Sequence, residues 1–419
     1  MFDSKKIDAF FDGEKPFENQ KSNDKVSISR SLRFIKLGFP CLAALLLGLM
    51  IVVPNIRKSA ELQDITTLPH KDELEKLHVE DTVFYITDHK NRVSRLTAVN
   101  IDETAPGSQK VKLTNPKGDI AADNGNIAIT AQTGFLDRNV NLMELLGDVR
   151  ATLDDGSVVT TQSVSYEFDK DFGFGREQVH AVGDWGTLEA DAFTYDRVQE
   201  LLTLMGHNKI ISTKGVLSAR DKTEILRFEN KVYAYGEASV RQENISVVAD
   251  KIVGSFSENN HELQKAEAFG NVKIKTNNET AFGAEGVYDA SSGKIDLYGA
   301  SQTAKKDGRV EIHQNENVMY ASRVEVYLAG DDLKQLKKAN AYGGVYIKTP
   351  KGTAKGDRGV YNPQTNIVEL FDNVIIEQDG NFIKGTHAET NLNTSVSRIR
   401  AGQSSGGRIS GTFYKKKGK

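Results

Sequence analysis

The amino-acid sequence predicts an all-β protein, and three observations support that fold class. The segment AFGNVKIKT at residues 268–276 recurs as AYGGVYIKT at residues 341–349, so the chain repeats a strand-forming unit. Apolar and polar residues alternate with period two in these segments, as on a strand with one buried face. The chain holds 36 glycines against 8 prolines, which is typical of many short strands joined by tight turns.

Fainter copies of the unit occur earlier in the chain. They read AYGEASV at 234–240, GDV at 147–149 and AVGD at 181–184. Spacings of roughly 30 to 45 residues are typical of supersecondary units that bury an apolar face only by stacking on one another. The sequence therefore predicts a β-repeat architecture.

Each unit has a second half in which a tyrosine precedes a turn and a further strand. Tyr195, Tyr288 and Tyr361 are each followed nine residues later by a leucine, namely Leu204, Leu297 and Leu370. Between them lie turn formers, DASSGK at 289–294 and NPQTN at 362–366, whose Gly, Asn and Pro supply the required dihedrals. The predicted order is strand, turn, strand, glycine, strand.

One long apolar run, LGFPCLAALLLGLMIVV, covers residues 37–53 and extends to Ile56. It is just long enough to cross a bilayer, so residues 33–56 are predicted to form a transmembrane helix. A cleaved signal peptide is the competing interpretation, but the run is long and no Ala-x-Ala site follows it. Arg30, Arg33 and Lys36 precede the run, which predicts a cytoplasmic N-terminus and an exported remainder.

Composition restricts the function classes. The 419 residues carry a net charge of −3 with 38% hydrophobic residues, so nucleic acid is not an expected partner. Cys41, the one cysteine, lies in the apolar run and is expected to pack there, so the exported part contains no disulfide. Strand pairing and core packing must hold the exported part together.

The sequence predicts no catalytic residues, no metal site and no cofactor. His261-Glu262 starts like a zinc motif, but Lys265 stands where the second histidine is needed. Asp154-Asp155-Gly156 and Asp331-Asp332 are more typical of hairpin turns than of paired catalytic acids. Gly173-Phe174-Gly175 lacks the helix that a phosphate loop requires. The sequence argues against an enzyme.

Two antiparallel sheets that do not close fully leave an apolar groove suited to an amphiphile. The alternative is that the inner side chains only pack against one another. Strand alternation and aromatic positions give ten candidate lipid-contacting residues: Val149, Phe193, Tyr195, Val272, Ile274, Tyr288, Val345, Ile347, Val374 and Ile376. The end strands of such sheets can also pair with another domain.

Two stretches carry a resemblance to known families. Residues 62–212 resemble LptC, the bitopic inner-membrane component of the lipopolysaccharide transport bridge, through the N-terminal span and a series of short motifs. These are KLTNP at 112–116, TGFLD at 133–137, LLGDV at 145–149, GTLEA at 186–190 and the Tyr-Asp pair at 195–196. Residues 215–413 resemble LptA, the periplasmic bridge protein, through the GNV-type repeats and the closing GRISGTF at 407–413.

The resemblance implies two tandem open β-jellyrolls, each a V of two antiparallel sheets, behind the transmembrane helix. The expected segments are a cytoplasmic tail at 1–32, the helix at 33–56, a connector at 57–80, an LptC-like domain at 81–212, an LptA/OstA-like domain at 213–401 and a flexible tail at 402–419. LptA proteins are usually separate secreted chains, so the fusion departs from the family pattern.

The resemblance also implies a function and partners. Lipopolysaccharide acyl chains would travel along the inner groove, and the helix would dock with the permease subunits of an ATP-driven transporter in the inner membrane. The bulk of the chain would lie in the periplasm and join other jellyroll domains by edge-strand pairing. Two alternatives stay open: a membrane-tethered β-scaffold that binds no lipid, and a β-solenoid enzyme acting on envelope polysaccharide.

Overall fold

The computed structural model describes residues 78–87, 93–105, 107–122, 125–170, 172–196, 198–258, 262–300, 308–329, 335–378, 380–391, 396–400 and 409–412. The expected cytoplasmic tail, transmembrane helix and almost all of the connector lie outside these ranges, as do His261 and Asp331-Asp332. Within the described ranges, no helix has the length and apolar character needed to cross a membrane. The regular structure there is β-strand apart from one 3-10 turn at Phe168–Lys170, which confirms the predicted all-β class.

The first region comprises twelve strands that precede residue 213. They are His78–Thr87 (β1), Val93–Glu103 (β2), Lys110–Thr114 (β3), Lys117–Ala122 (β4), Gly125–Thr130 (β5), Thr133–Asp137 (β6), Leu142–Leu153 (β7), Val158–Glu167 (β8), Phe172–Gly175 (β9), Val179–Gly183 (β10), Gly186–Asp196 (β11) and Leu201–Ser212 (β12).

The second region comprises the strands after residue 214. They are Gly215–Ala219 (β13), Lys222–Leu226 (β14), Lys231–Gln242 (β15), Ile245–Phe256 (β16), Leu263–Lys275 (β17), Glu279–Asp289 (β18), Lys294–Tyr298 (β19), Val310–Gln314 (β20), Asn317–Ala321 (β21), Arg323–Ala329 (β22), Gln335–Thr349 (β23), Gly352–Asn362 (β24), Ile367–Gln378 (β25), Asn381–Asn391 (β26), Val396–Arg400 (β27) and Ser410–Thr412 (β28).

All these strands belong to one 28-stranded hydrogen-bonded network, in which neighbours run antiparallel. Long strands such as β7, β15 and β25 bend midway. The two halves of a bent strand can pair with two different short strands, as β7 pairs with β5 and β6, and β15 with β13 and β14. The network therefore folds into two facing halves. We call sheet I the half that contains β3, β6, β9, β14, β19, β22 and β27, and sheet II the half that contains β4, β5, β10, β13, β20, β21 and β28.

Backbone pairing is continuous between the two regions, whereas the buried apolar clusters are separate. Ser212 of β12 pairs with Gly215 of β13 in a tight hairpin, and Val216 then pairs with Arg241 of β15. One apolar cluster occupies the first region and includes Ile225 of β14. The other runs from Ala219 through the second region. One sheet thus carries two cores.

The predicted repeat unit is present with one refinement. Each bend glycine, such as Gly270 in β17 or Gly343 in β23, lies inside a single bent strand and does not end it. The echo at 181–184 is different, because Gly183 ends β10 at a turn. Asp154, Asp155 and Gly156 form the turn between β7 and β8, as the sequence predicts.

Candidate functional site

The bends that bring the two sheets face to face depend on residues in the left-handed region. Gly147, Gly206, Gly236, Gly270 and Gly343 have φ values of 76°, 71°, 76°, 72° and 80°. Glycine adopts this conformation without a Cβ penalty, and the extra residue at each position makes a β-bulge that turns the strand. The strand register shifts at these positions, so each long strand leaves one sheet and enters the other.

A polar side chain on the neighbouring rung braces each bend. Asp250 Oδ2 accepts a hydrogen bond from Asn271 Nδ2 at 2.9 Å, and Asp357 Oδ2 accepts one from Asn373 Nδ2 at 2.7 Å. Asp191 Oδ2 accepts the backbone N–H of His207 at 2.8 Å. Sequence reasoning missed these carboxylates. The available signal was a small residue before each aspartate, as in Ala249-Asp250 and Gly356-Asp357.

One line of side chains runs along the inner face of sheet II through both regions, because cross-strand register joins its members rung by rung. We call this line the inner row. It consists of Leu96, Gly118, Ile129, Ala151, Val159, Ala181, Leu188, Ile210, Leu217, Val240, Val247, Ile274, Ala281, Ile312, Met319, Ile347, Ala354, Ile376 and Ile383.

Exposure changes along the inner row although its apolar character does not. In the first region Ile129 is 2% exposed and Leu188 is 7% exposed, so the row is closed off from solvent. From Ile210 onward the members are only partly buried, and Ile274 and Ile347 pack against the second core from its open side. The inner row therefore forms a sealed core first and the wall of a groove afterwards.

The inner face of sheet I also differs between the two regions. In the first region it presents Met143 and Tyr166, both 0% exposed, together with Leu202 at 3%. The corresponding positions of the second region combine small residues such as Gly254, Ala266 and Ala339 with larger ones such as Tyr288 and Tyr361, and all of these are only partly buried. The apolar side chains on the inner faces of the second region therefore stay partly accessible to solvent.

Two tyrosines stand on the inner face of sheet I in the second region. Tyr288 pairs with Ala266 and Tyr361 pairs with Ala339, so each ring lies beside a small residue. Burial raises the pKa of both phenols. The Tyr361 hydroxyl donates to Asn366 Oδ1 at 3.0 Å, which gives the partly buried side chain a polar partner at its tip.

The rim of sheet II is polar. Glu279, at the start of β18, accepts a hydrogen bond from Gln314 Nε2 at 3.1 Å and another from the Thr276 hydroxyl. Across the groove, Glu279 contributes to the raised pKa of Tyr361 after the larger effect of burial. An apolar trough with a polar rim suits an elongated amphiphile.

A buried polar pair lies where the sealed core meets the groove. Thr223 of β14 is 0% exposed and Asn208 of β12 is 4% exposed. The Thr223 hydroxyl donates to Asn208 Oδ1 at 2.5 Å, and Asn208 Nδ2 donates to the Gly206 carbonyl at 2.9 Å. Thr223 belongs to sheet I and Asn208 pairs in sheet II, so the bond links the sheets at the boundary.

The ten residues selected from the sequence all lie on inner faces but in different surroundings. Val149, Phe193 and Tyr195 are buried in the first core. Val272, Val345 and Val374 are buried beside the bends and form the groove floor. The partly exposed wall positions are Ile274, Tyr288, Ile347 and Ile376. Across the described ranges, no cluster of three or more His, Cys, Asp and Glu side chains is placed to hold a metal ion.

Comparisons with known proteins match two families. Residues 41–213 match the family described as lipopolysaccharide-assembly, LptC-related, and residues 300–396 match the family described as LptA/(LptD N-terminal domain) LPS transport protein. No curated protein matches the chain.

Two solved structures were also compared with the chain. LptH from Pseudomonas aeruginosa, the LptA homologous periplasmic component of the lipopolysaccharide transport device, is 15% identical with a TM-score of 0.19, covering 41% of this chain and 95% of its own. The extracellular domain of a one component system from B. thetaiotaomicron is 6% identical with a TM-score of 0.08, covering 70% of this chain and 80% of its own.

Proposed function

We propose that this chain, which joins an LptC-related region to an LptA-like region, is a component of the periplasmic lipopolysaccharide transport bridge. Both matching families bear descriptions of lipopolysaccharide assembly or transport. The observation that carries the proposal is the inner row, whose second-region members are apolar, in register and partly exposed. The role is one of transport and not of catalysis.

The chemistry of the groove fits the acyl chains of a lipid better than a polar ligand. Each buried methylene of an acyl chain contributes about 0.8 kcal/mol, so a chain laid along Val247, Ile274 and Ile312 would be stabilised by several kcal/mol. The saccharide headgroup would remain at the polar rim near Glu279 and Gln314. Because neighbouring rungs offer similar side chains, the lipid can slide without a large barrier.

The proposal extends to the membrane and to partners. The segment at 33–56 would anchor the chain in the inner membrane as a single-pass helix with a cytoplasmic N-terminus, and would contact the permease subunits of the lipopolysaccharide transporter. Strand β1 and strands β27 and β28 pair on one side only within the described residues, so they could join further jellyroll domains.

The two open-jellyroll domains are proposed at 81–212 and 213–401. The separate apolar clusters support this division, because Leu204 belongs to one cluster and Ala234 to the other. The hairpin of Ser212 and Gly215 keeps the sheet continuous across the junction. A covalent connection of this kind would fix the ratio of the two domains at one to one.

Photocrosslinking in cells tests the transport role. A crosslinking amino acid is placed in turn at Ile274, at Ile347 and at Lys273, which is exposed on the opposite face of β17. We expect lipopolysaccharide adducts at the two isoleucine positions, and we expect their formation to require ATP. No adduct should form at Lys273. The absence of adducts at both inner positions would contradict lipid passage through the second region and favour the lipid-free scaffold.

A further inference from the structure

The outer face of sheet I carries a second continuous line of side chains, next to the bends of the second region. Cross-strand pairing connects its members one rung at a time. We call this line the outer ladder. It consists of Lys222, Tyr235, Lys251, Phe269, Glu285, Tyr298, Arg323, Tyr342, Arg358, Phe371, His387 and Arg400.

Cations and aromatic rings contact one another directly along the outer ladder. Lys222 Nζ lies 4.8 Å and Lys251 Nζ 5.2 Å from the ring centroid of Tyr235. The guanidinium of Arg358 lies 5.4 Å from the centroid of Phe371, whose other neighbour is the stacked ring of His387 at 4.8 Å. These distances fall within the range of cation–π and stacking interactions.

Carboxylates hold several of the ladder cations in place. Arg323 Nη2 donates to Asp296 Oδ1 at 2.6 Å and to Glu325 Oε1 at 2.6 Å. Arg358 Nη2 donates to Asp372 Oδ2 at 3.0 Å. Because such pairs fix both charge and geometry, the cations stay over the neighbouring rings.

The arrangement leaves little room for an external ligand. Tyr235 has a cation at each of its two ladder neighbours, and Phe371 has Arg358 on one side and His387 on the other. A sugar stacks on an open ring face, and these faces are already covered. The ring contacts of Tyr235 and Phe371 are therefore internal to the sheet.

In the described part of the first region, contacts of this kind on sheet I are isolated: Lys110 Nζ lies 5.2 Å from the ring centroid of Phe135, and the guanidinium of Arg176 lies 5.1 Å from that of Phe174. The same line there consists of Asn100, Thr114, Thr133, Leu146, Ser163 and, beyond β11, Met205. None of these residues is an aromatic or a cation. The outer ladder begins at Lys222, which pairs with Met205 and precedes the boundary residue Thr223.

We propose that the outer ladder is a brace that keeps the rungs of the second region in register while the groove is empty. Cross-strand side-chain pairs stabilise a sheet, and on an open sheet the inner face supplies fewer of them. The ladder begins where inner packing becomes incomplete, so the outer face takes over part of its role. The second region can then stay open without collapsing onto itself.

Hydrogen–deuterium exchange of the full chain tests the brace at two places. Phe371→Leu keeps an apolar side chain but removes the ring between Arg358 and His387. We expect amide exchange in β24, β25 and β26 to become about tenfold faster, since a tenfold change corresponds to one cation–π contact and one stacking contact of ordinary strength. Phe371→Tyr keeps the ring and should exchange at the native rate. Exchange in β7 and β8 of the first region should not change in either variant.

Ile376→Ala is the matched inner-row control, because Ile376 lies on the same strand β25 and faces the groove. It should accelerate exchange less than Phe371→Leu does. Lys251→Met tests the outer ladder at a second position, because Lys251 Nζ lies 5.0 Å from the ring centroid of Tyr233 and 5.2 Å from that of Tyr235. It should accelerate exchange severalfold in β15 and β16. Native exchange in both ladder variants, or faster exchange in Ile376→Ala than in Phe371→Leu, would overturn the proposal.

Discussion

Ile129 of the first region and Ile347 of the second occupy the same inner row, yet one is 2% exposed and the other faces a groove. Both are isoleucines in strands with the same alternation, and both lie in sheet II. The opposite sheet differs as well: it presents fully buried residues such as Met143 in the first region, and partly buried residues such as Ala339 and Tyr361 in the second. One repeat architecture thus yields a sealed core in one region and an open trough in the other.

The two cores also differ in how many partly buried apolar side chains surround them. The sealed core gives the first region a stable body, with only Trp185, Ile210 and Val232 as partly buried apolar neighbours among the described residues. The second core has a longer set of such neighbours, among them Ile274, Met319 and Ile376, which would be covered by a bound acyl chain. Closed packing is thus concentrated in one region and partly exposed apolar surface in the other.

The largest expected effect distinguishes the two isoleucines. Ile129→Ala should lower the free energy of unfolding by about 3 to 4 kcal/mol, because it leaves a cavity in a closed core. Ile347→Ala should cost only about 1 kcal/mol, since water already reaches that side chain. Urea unfolding measured by the fluorescence of Trp185, the one tryptophan of the chain, reports on the first region, and amide exchange in β23 reports on the second. Equal costs for the two substitutions would contradict the difference in closure.

The bends should behave alike in both regions. Gly147→Ala and Gly270→Ala should each cost about 2 to 3 kcal/mol, because alanine is strained at positive φ and its Cβ meets a neighbour. That Cβ would lie 2.6 Å from Gln132 Oε1 in the first case and 2.2 Å from Asp250 Oδ2 in the second. Gly107→Ala is the control, with a φ of 71° but nothing within 4 Å, and should cost about 1 kcal/mol. Thermal unfolding of the three variants makes the comparison.

Acid should weaken the second region first. Burial acts to raise the pKa of Glu325, but hydrogen bonds from Lys294, Tyr327, Asn340 and Tyr342 outweigh it and lower that pKa to about 2 from 4.5. The unfolded state therefore binds the proton first, so the stability from this carboxylate is present above pH 4.5 and is lost between pH 4.5 and 2. The loss should be about 3 kcal/mol.

Amide exchange in β22 and β23, measured from pH 6 downward with correction for intrinsic rates, checks this prediction. Glu325→Gln should remove the pH dependence in those strands, while exchange in β7 and β8 should be the same in both proteins. Glu325 is the one charged side chain among the buried residues that the structure describes. An unchanged pH profile in Glu325→Gln would mean that other groups control acid sensitivity.

The smallest effect sharpens the boundary between the regions. Thr223→Val removes the hydroxyl that donates to Asn208 Oδ1 and leaves that buried oxygen without its donor, which should cost about 1 to 2 kcal/mol. Thr223→Ser keeps the hydroxyl and should cost less. Urea unfolding followed by Trp185 emission and by circular dichroism shows whether the two regions then separate into distinct transitions. A single unchanged transition in Thr223→Val would exclude a coupling role for the pair.

Part of this architecture can be predicted from the sequence because residue type itself carries the requirement. Positive φ favours glycine or asparagine, so the recurring Gly-Asn-Val and Gly-Gly-Val segments predicted a glycine break between strands at Gly270 and Gly343, where the structure has bends inside single strands. Period-two alternation likewise predicted which residues face inward, as for Val272 and Ile274 against exposed Lys273. These signals are local, so a single sequence contains them.

The remaining features depend on register between distant segments, which alternation alone does not specify. Tyr298, Arg323 and Tyr342 become neighbours on adjacent rungs only after strands β19, β22 and β23 pair. In the same way, nothing in the strand around Ile129 distinguishes it from the strand around Ile347. Exposure there depends on neighbours that are distant in the sequence, so the sequence predicted the inner face but not where that face would be open.

The most direct test of this account is the rate of thiol labelling at the two isoleucine positions. In a chain whose native Cys41 is replaced by serine, Ile129→Cys, Ile347→Cys and the outer-face control Lys348→Cys are each reacted with a small maleimide, and Trp185 emission verifies folding. We predict fast labelling at 347 and 348, slow labelling at 129, and protection by added lipopolysaccharide at 347 alone. Equal labelling at 129 and 347, or no protection at 347, would contradict an open lipid groove confined to the second region.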